Sequence, residues 1–300
     1  MLLKQKFPKR KLKEKRGDRL TIENILLTVG IVGLVAASVS DIKTKEVPDW
    51  ISYSMIFSGI FLRLIFSAKT FIWSFFFIGL LGFFSMLLLG NLMYYTKQWG
   101  GGDTKIMMGI GALFATINEQ NLFLLNLIIN LLIVGAIYGI VWSIILAIKN
   151  KDKFLKEIHK KMRDNKRLGL ILLIISIILT INLLFVQNKI VKIFIFTIVL
   201  LVGLYYYLLI VIKAIEDSSM YRTISVSKLT EGDWIAHNIN LNHRIIYKKS
   251  SLGVTKDQLS LIKKSKIKRV LIKEGIPFIP SIFIATLITL VYGSLVSLLV

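Results

Sequence analysis

Two carboxylates stand at the edges of long apolar runs in this chain. Asp41 follows Ser38-Val39-Ser40, and Asp103 closes Trp99-Gly100-Gly101-Gly102-Asp103, ahead of Thr104 and Lys105. An ionisable residue at membrane depth is costly, which makes each acid a candidate functional group. The three glycines remove side-chain bulk beside Asp103, so another backbone can come close. Two carboxylates that share a site cannot both ionise easily and hold one proton between them. The ionised member can take a proton from water while the protonated member polarises a carbonyl, and this chemistry needs no metal, thiol or histidine. The titrations of such a pair belong to both acids together.

Each residue also has a plainer role. An Asp directly before a helix is a common N-cap, which Asp103 fits. Asp41 ends a helix, where an acid opposes the dipole, so its plainer role is a solvated boundary residue. Asp49 follows Pro48 and suits a cap of the second helix. Lys43, Lys45 and Lys105 read as positive loop charge; tuning the acids or holding anionic lipid is the functional alternative. Gly109 and Gly111 suit close helix contacts. Met107 and Met108 face either lipid or the core.

The rest of the chain must hold these groups in place. Of 300 residues, 55% are hydrophobic, and mean hydropathy is +0.69, too apolar for a soluble globular chain of this length. Cysteine is absent, which excludes disulfides, thiol catalysis and Cys-ligated metal centres. The three histidines, His159, His237 and His243, lie in polar segments without HExxH spacing, so no metal or other cofactor is expected. The formal charge is +22. In a chain this apolar, that charge points to membrane topology and anionic lipid, not to nucleic acid.

Residues 1–22 form a basic tail without a small-residue cleavage site after it. Apolar runs follow at about 23–40, 50–68, 71–95, 104–117, 120–148, 168–187, 189–212 and 277–299, most of them near the ~20 residues that cross a bilayer. The expected fold is therefore an all-α polytopic membrane protein of six to eight transmembrane helices, with a small α+β cytoplasmic domain inserted before the last helix. Residues 23–148 carry both acids, 149–167 form a basic cytoplasmic loop, 168–215 more transmembrane helices, and 276–300 the last one. Within 216–275, alternation predicts strands at 223–227, 234–239 and 244–247. Thr255-Lys256-Asp257-Gln258 fits a capping box opening a short helix, and Val270-Leu271-Ile272 a final strand. With 149–167 cytoplasmic and helices alternating, both acids face the cytoplasm. The same count puts the basic tail outside, against the positive-inside rule.

At this point the residues resemble a family. Gly100-Gly101-Gly102-Asp103-Thr104-Lys105 is similar to the GxGD signature of membrane aspartyl proteases, with the Lys of the type IV prepilin peptidase branch. Ser40-Asp41-Ile42-Lys43-Thr44-Lys45-Glu46-Val47-Pro48-Asp49-Trp50 resembles that branch's other motif, and two helices between the acids fit its spacing. Lys273-Glu274-Gly275-Ile276-Pro277-Phe278-Ile279-Pro280 resembles the C-terminal region of archaeal preflagellin (prearchaellin) and prepilin peptidases. The resemblance implies a membrane aspartyl endopeptidase that cuts the short basic leader from archaellin or type IV pilin-like precursors at the cytoplasmic face. It implies Asp41 and Asp103 as catalytic, Gly100, Gly101, Gly102 and Lys105 as shaping the site, and the lipid membrane and a prepilin or prearchaellin as partners. Bacterial relatives often carry a cysteine-rich insert and also methylate the new N-terminus; without that insert, peptidase activity alone is expected. Glu46 and Asp49 could receive the basic leader. The alternative is an ion- or proton-coupled transporter using the same acids.

Overall fold

The computed structural model describes residues 9–116, 122–241 and 244–298. The first eight residues of the basic tail and His243 lie outside them. Among the described residues six helices are long and apolar enough to cross a membrane: Arg19–Thr44, Asp49–Thr70, Trp73–Tyr95, Phe123–Lys149, Lys166–Leu183 and Lys189–Met220. The chain is a mostly helical multi-pass membrane protein with a small strand-containing region before its last helix. Two of the eight apolar runs form short helices. α4 is Gly101–Phe114 and α10 is Ile279–Tyr292, each of 14 residues. Each rises about 21 Å, less than the ~30 Å hydrocarbon layer. The last helix thus covers only part of the expected 276–300 segment, because Gly293 ends it at φ 73°.

The chain divides into two units, 1–139 with 275–300, and 140–274. In the first unit α1 (Lys9–Thr44), α2 (Asp49–Thr70) and α3 (Trp73–Tyr95) pack around α4, α10 packs on α1, and the first part of α5 (Phe123–Lys149) joins their shared core. α4 is apolar nearly all round and buries Ile106, Met107, Ile110, Leu113 and Phe114. A helix of that kind belongs in an interior, and here it forms the centre of the unit. Met107 is thereby a core residue. The two-residue link between α2 and α3, with Phe71 left-handed at φ 59°, makes those helices antiparallel neighbours.

Close approach of backbones makes this packing. A Cβ on Gly111 would stand 2.3 Å from the Gly82 carbonyl oxygen, and one on Gly82 would stand 2.4 Å from that of Gly111. At Gly109 a Cβ would instead meet a side-chain atom, Met55 Cβ, at 2.8 Å, so Gly109 and Gly111 both allow close helix contacts, as expected.

In the second unit the basic 149–167 segment is not a loop throughout: it holds the helix α6 (Lys151–Asp164). α7 (Lys166–Phe185) and α8 (Lys189–Ile215) pack against each other, with Tyr206 of α8 donating to the Asn165 carbonyl ahead of α7 at 3.2 Å. Strands β1 (Tyr221–Ser225), β5 (Arg269–Lys273) and β2 (Trp234–Ile235) form an antiparallel sheet in that spatial order. β3 (Ile239–Leu241) and β4 (Arg244–Tyr247) form a hairpin. Their core is Val226, Ile235, Tyr247, Ile262, Val270 and neighbours.

The expected capping box opens α9 (Lys256–Lys264): Thr255 N–H donates to Gln258 Oε1 at 3.0 Å, and Gln258 N–H returns to Thr255 Oγ1 at 3.4 Å. Thr255→Ala is expected to cost α9 about 1 kcal/mol. Faster hydrogen exchange across α9 in the full chain would show it, and unchanged protection there would count against the box.

Candidate active site

The acids come from opposite kinds of helix end. α1 stops because Lys45 turns left-handed at φ 58° and Pro48 cannot continue the helix. Ser40 Oγ and Thr44 Oγ1 donate to the Glu46 carbonyl at 2.9 and 3.0 Å and so fasten the turn. Asp41 lies one turn before that end and is 6% exposed. It is therefore not the solvated boundary residue that its place in the sequence allowed. At the end of α1 it opposes the dipole, but Oδ2 accepts the Ile279 N–H at 2.9 Å, at the first residue of α10. A helix N-terminus offers free donors and a positive dipole end, which offsets the first penalty. Asp41 is thus held by a residue 238 positions away.

Asp103 is not the N-cap. The helix begins two residues earlier, with Gly100 at the cap position and Asp103 in the first turn. Its Oδ2 accepts the Gly100 N–H at 2.9 Å, the returning half of a capping box, since glycine has no side chain to complete the exchange. α4 lies outside the six spans. Desolvation pushes the Asp103 carboxyl up to about 7, against the lowering effect of the Gly100 N–H, and the charge of Asp41 adds to the rise. The two acids are therefore within electrostatic reach of each other.

Gly100 and Gly101 leave open space: a Cβ on either would meet nothing nearer than 3.5 Å, and only Gly102 is tight, at 3.2 Å from Val47. Lys105 Nζ is bonded to Asp49 Oδ1 at 2.6 Å and stands 5.3 Å from the Tyr53 ring centre. Asp49 therefore does not cap α2; that position is Pro48, and its carboxylate faces Lys105 instead. The Glu46 backbone belongs to the turn described above. Among the described residues no group of three or more His, Asp or Glu side chains could hold a metal ion.

Sequence reasoning did not single out the start of α10 as the partner of Asp41. Phe278 packs on Trp99, ring centres 6.0 Å apart, so the segment before α4 meets the segment before α10. Pro280 in the first turn marks that helix start and was the available signal, because free N–H groups there attract an acid. Arg63 and Asn130, both fully buried, were also missed.

Residues 28–145 match the model of the type IV leader peptidase family. A preflagellin peptidase of Methanocaldococcus jannaschii is 33% identical over 90 residues, which cover 30% of this chain and 38% of that protein. One from Methanococcus voltae is 35% identical over 89 residues, 30% of this chain and 38% of that protein. One from Methanococcus maripaludis is 32% identical over 85 residues, 28% of this chain and 36% of that protein. The chain thus spans little more than a third of the length of these curated relatives. No solved structure matches it. By these matches residues 28–145, with Asp41 and Asp103 both inside them, are similar to the type IV leader peptidase family.

Proposed function

We propose that the chain is a membrane aspartyl endopeptidase that removes the basic leader from archaellin or type IV pilin-like precursors, without N-methyltransferase activity. The observation that carries this reading is the pair itself. Two acids, each held at the start of a short helix, lie within each other's field and inside the family match. The ionised acid takes a proton from a water molecule as its oxygen attacks the scissile carbonyl. The protonated acid hydrogen-bonds the developing oxyanion, and a proton then passes to the leaving amine as the C–N bond breaks. The open space at Gly100 and Gly101 admits an extended substrate backbone beside Asp103. The cytoplasmic face rests on Lys43, Lys45, Lys97 and Lys105 next to the acids; with α4 not crossing, alternation over the six spans sets the basic 149–167 segment on the opposite face and no longer supports it. Glu46 and Asp49 receive the basic leader, whose cations must compete with Lys105 for the Asp49 carboxylate.

The test is a gel-shift assay of a prearchaellin or prepilin with the full chain in lipid vesicles. Shortening by the leader length is expected. Ion flux in the same vesicles with no cleavage would replace this reading with a transporter.

The pH profile gives a second check. The pair shares one proton, and desolvation, with the charge of Asp41 adding to it, pushes the Asp103 carboxyl up to about 7. As pH rises through about 7 that proton is lost and both acids are charged. Cleavage (kcat/KM) is expected to fall about tenfold per pH unit above it. A rate that stays flat to about pH 9 would count against a shared proton.

A further inference from the structure

A helix that stops inside an apolar environment leaves its last carbonyls without partners, because no water is there to bond them. The C-terminal ends of α4 and α10 each meet one buried polar side chain of a spanning helix. Arg63 of α2 is fully buried. It donates from Nε to the Ala112 carbonyl at 2.7 Å and from Nη2 to the Leu113 carbonyl at 2.9 Å, two of the last four carbonyls of α4. Nη1 donates to the Phe75 carbonyl at 3.1 Å in the first turn of α3, and the guanidinium lies 4.5 Å from the Phe75 ring centre. A Cβ on Gly79 would stand 2.3 Å from Arg63 Cδ, so that glycine makes room for the side chain.

Asn130 of α5, also fully buried, closes α10. Nδ2 donates to Thr289 Oγ1 at 2.8 Å and to the Gly293 carbonyl at 2.7 Å, and Oδ1 accepts the Leu295 N–H at 2.8 Å. The opposite ends of the same two helices hold the acids. Asp103 sits in the first turn of α4, and Asp41 accepts from the first residue of α10. A short helix is stiff along its axis, so a slip at one end moves the other.

We propose that Arg63 and Asn130 are positioning residues, which set the depth and separation of Asp103 and Asp41 by fixing the far ends of α4 and α10. The spread of donors on Arg63 suits such a role, because several N–H groups in a rigid fork reach carbonyls on two helices, which a point cation cannot do. Its activity readout rests on the endopeptidase reading; the separation itself can be measured without it.

The chain has no cysteine, so two introduced ones can carry spin labels. Lys43→Cys and Gly101→Cys put labels on exposed positions at the end of α1 and the start of α4, and a Cβ at Gly101 meets nothing nearer than Tyr94 at 3.9 Å. In this labelled chain, Arg63→Met and Asn130→Leu are each expected to shift or broaden the inter-label distance by about 1 Å or more. In the unlabelled chain kcat falls about 10²-fold, with KM held within about twofold. Arg63→Lys keeps the charge and most of the bulk; an intermediate shift is expected, and it carries the test where Arg63→Met does not insert. Unchanged distances, with activity lost only in proportion to folded protein, overturn the proposal. Shifted distances in a chain that cleaves no precursor even as wild type would sink the endopeptidase reading and leave the positioning role standing.

Discussion

Asp41→Asn and Asp103→Asn are each expected to lower precursor cleavage by about 10³-fold or more, with the double variant no worse than either single one. An amide cannot take the proton of the attacking water and carries no acidic proton to give. Groups that act as one unit lose their effect together, so the second substitution has nothing left to remove. Both variants should still fold. The Asn oxygen can accept the Ile279 N–H in place of Asp41 Oδ2, or the Gly100 N–H in place of Asp103 Oδ2. The measurement is the gel shift of a precursor at equal amounts of membrane-inserted enzyme. Full processing by either variant would show that the pair is not the catalytic unit.

Both acids were legible in the sequence because each breaks a local rule, a carboxylate at the edge of an apolar run with glycine or a helix C-terminus beside it. The small region before the last helix was legible for the opposite reason, since its local signals agree: the box at Thr255 opens α9, and the alternation in Arg244–Tyr247 is β4. What could not be read depends on distant partners. The Asp41 bond to Ile279 joins the two ends of the first unit. Arg63 reads in the sequence only as one charge inside an apolar run; its role exists once α3 and α4 bring three carbonyls around it. The start of α4 was misplaced because glycines are poor helix formers, which argued for a loop up to Asp103. Packing overrides that preference: Thr104 donates to the Gly90 carbonyl at 3.1 Å and draws this first turn against α3. The expected six to eight spans could not be narrowed to six, because composition alone cannot tell a buried helix from a spanning one. α4 is as apolar as a span, yet its 14 residues lie inside the unit.

Gly82→Ala and Gly111→Ala each destabilise the first unit by about 1–3 kcal/mol, and leucine at either position by more. The reason is what the new atom meets. At Gly111 a Cβ would lie 2.3 Å from the Gly82 carbonyl oxygen and 2.7 Å from its carbon. At Gly82 it would lie 2.4 Å from the Gly111 oxygen. These are backbone atoms, so no rotamer change gives relief, and α3 and α4 must separate. In a bilayer, helix association depends on close van der Waals packing, which a small gap already weakens. The two substitutions strain the same gap, so the double variant should cost less than the sum of the singles. Gly101→Ala is the control. It has open space and replaces a poor helix former in a first turn, so its stability should hold or rise slightly. Thermal unfolding in one detergent gives the ranking, and equal midpoints for Gly82→Ala, Gly111→Ala and Gly101→Ala would refute it. Because α4 carries Asp103, activity in the two tight variants should fall further than the folded fraction does, as the same separation moves one acid away from the other.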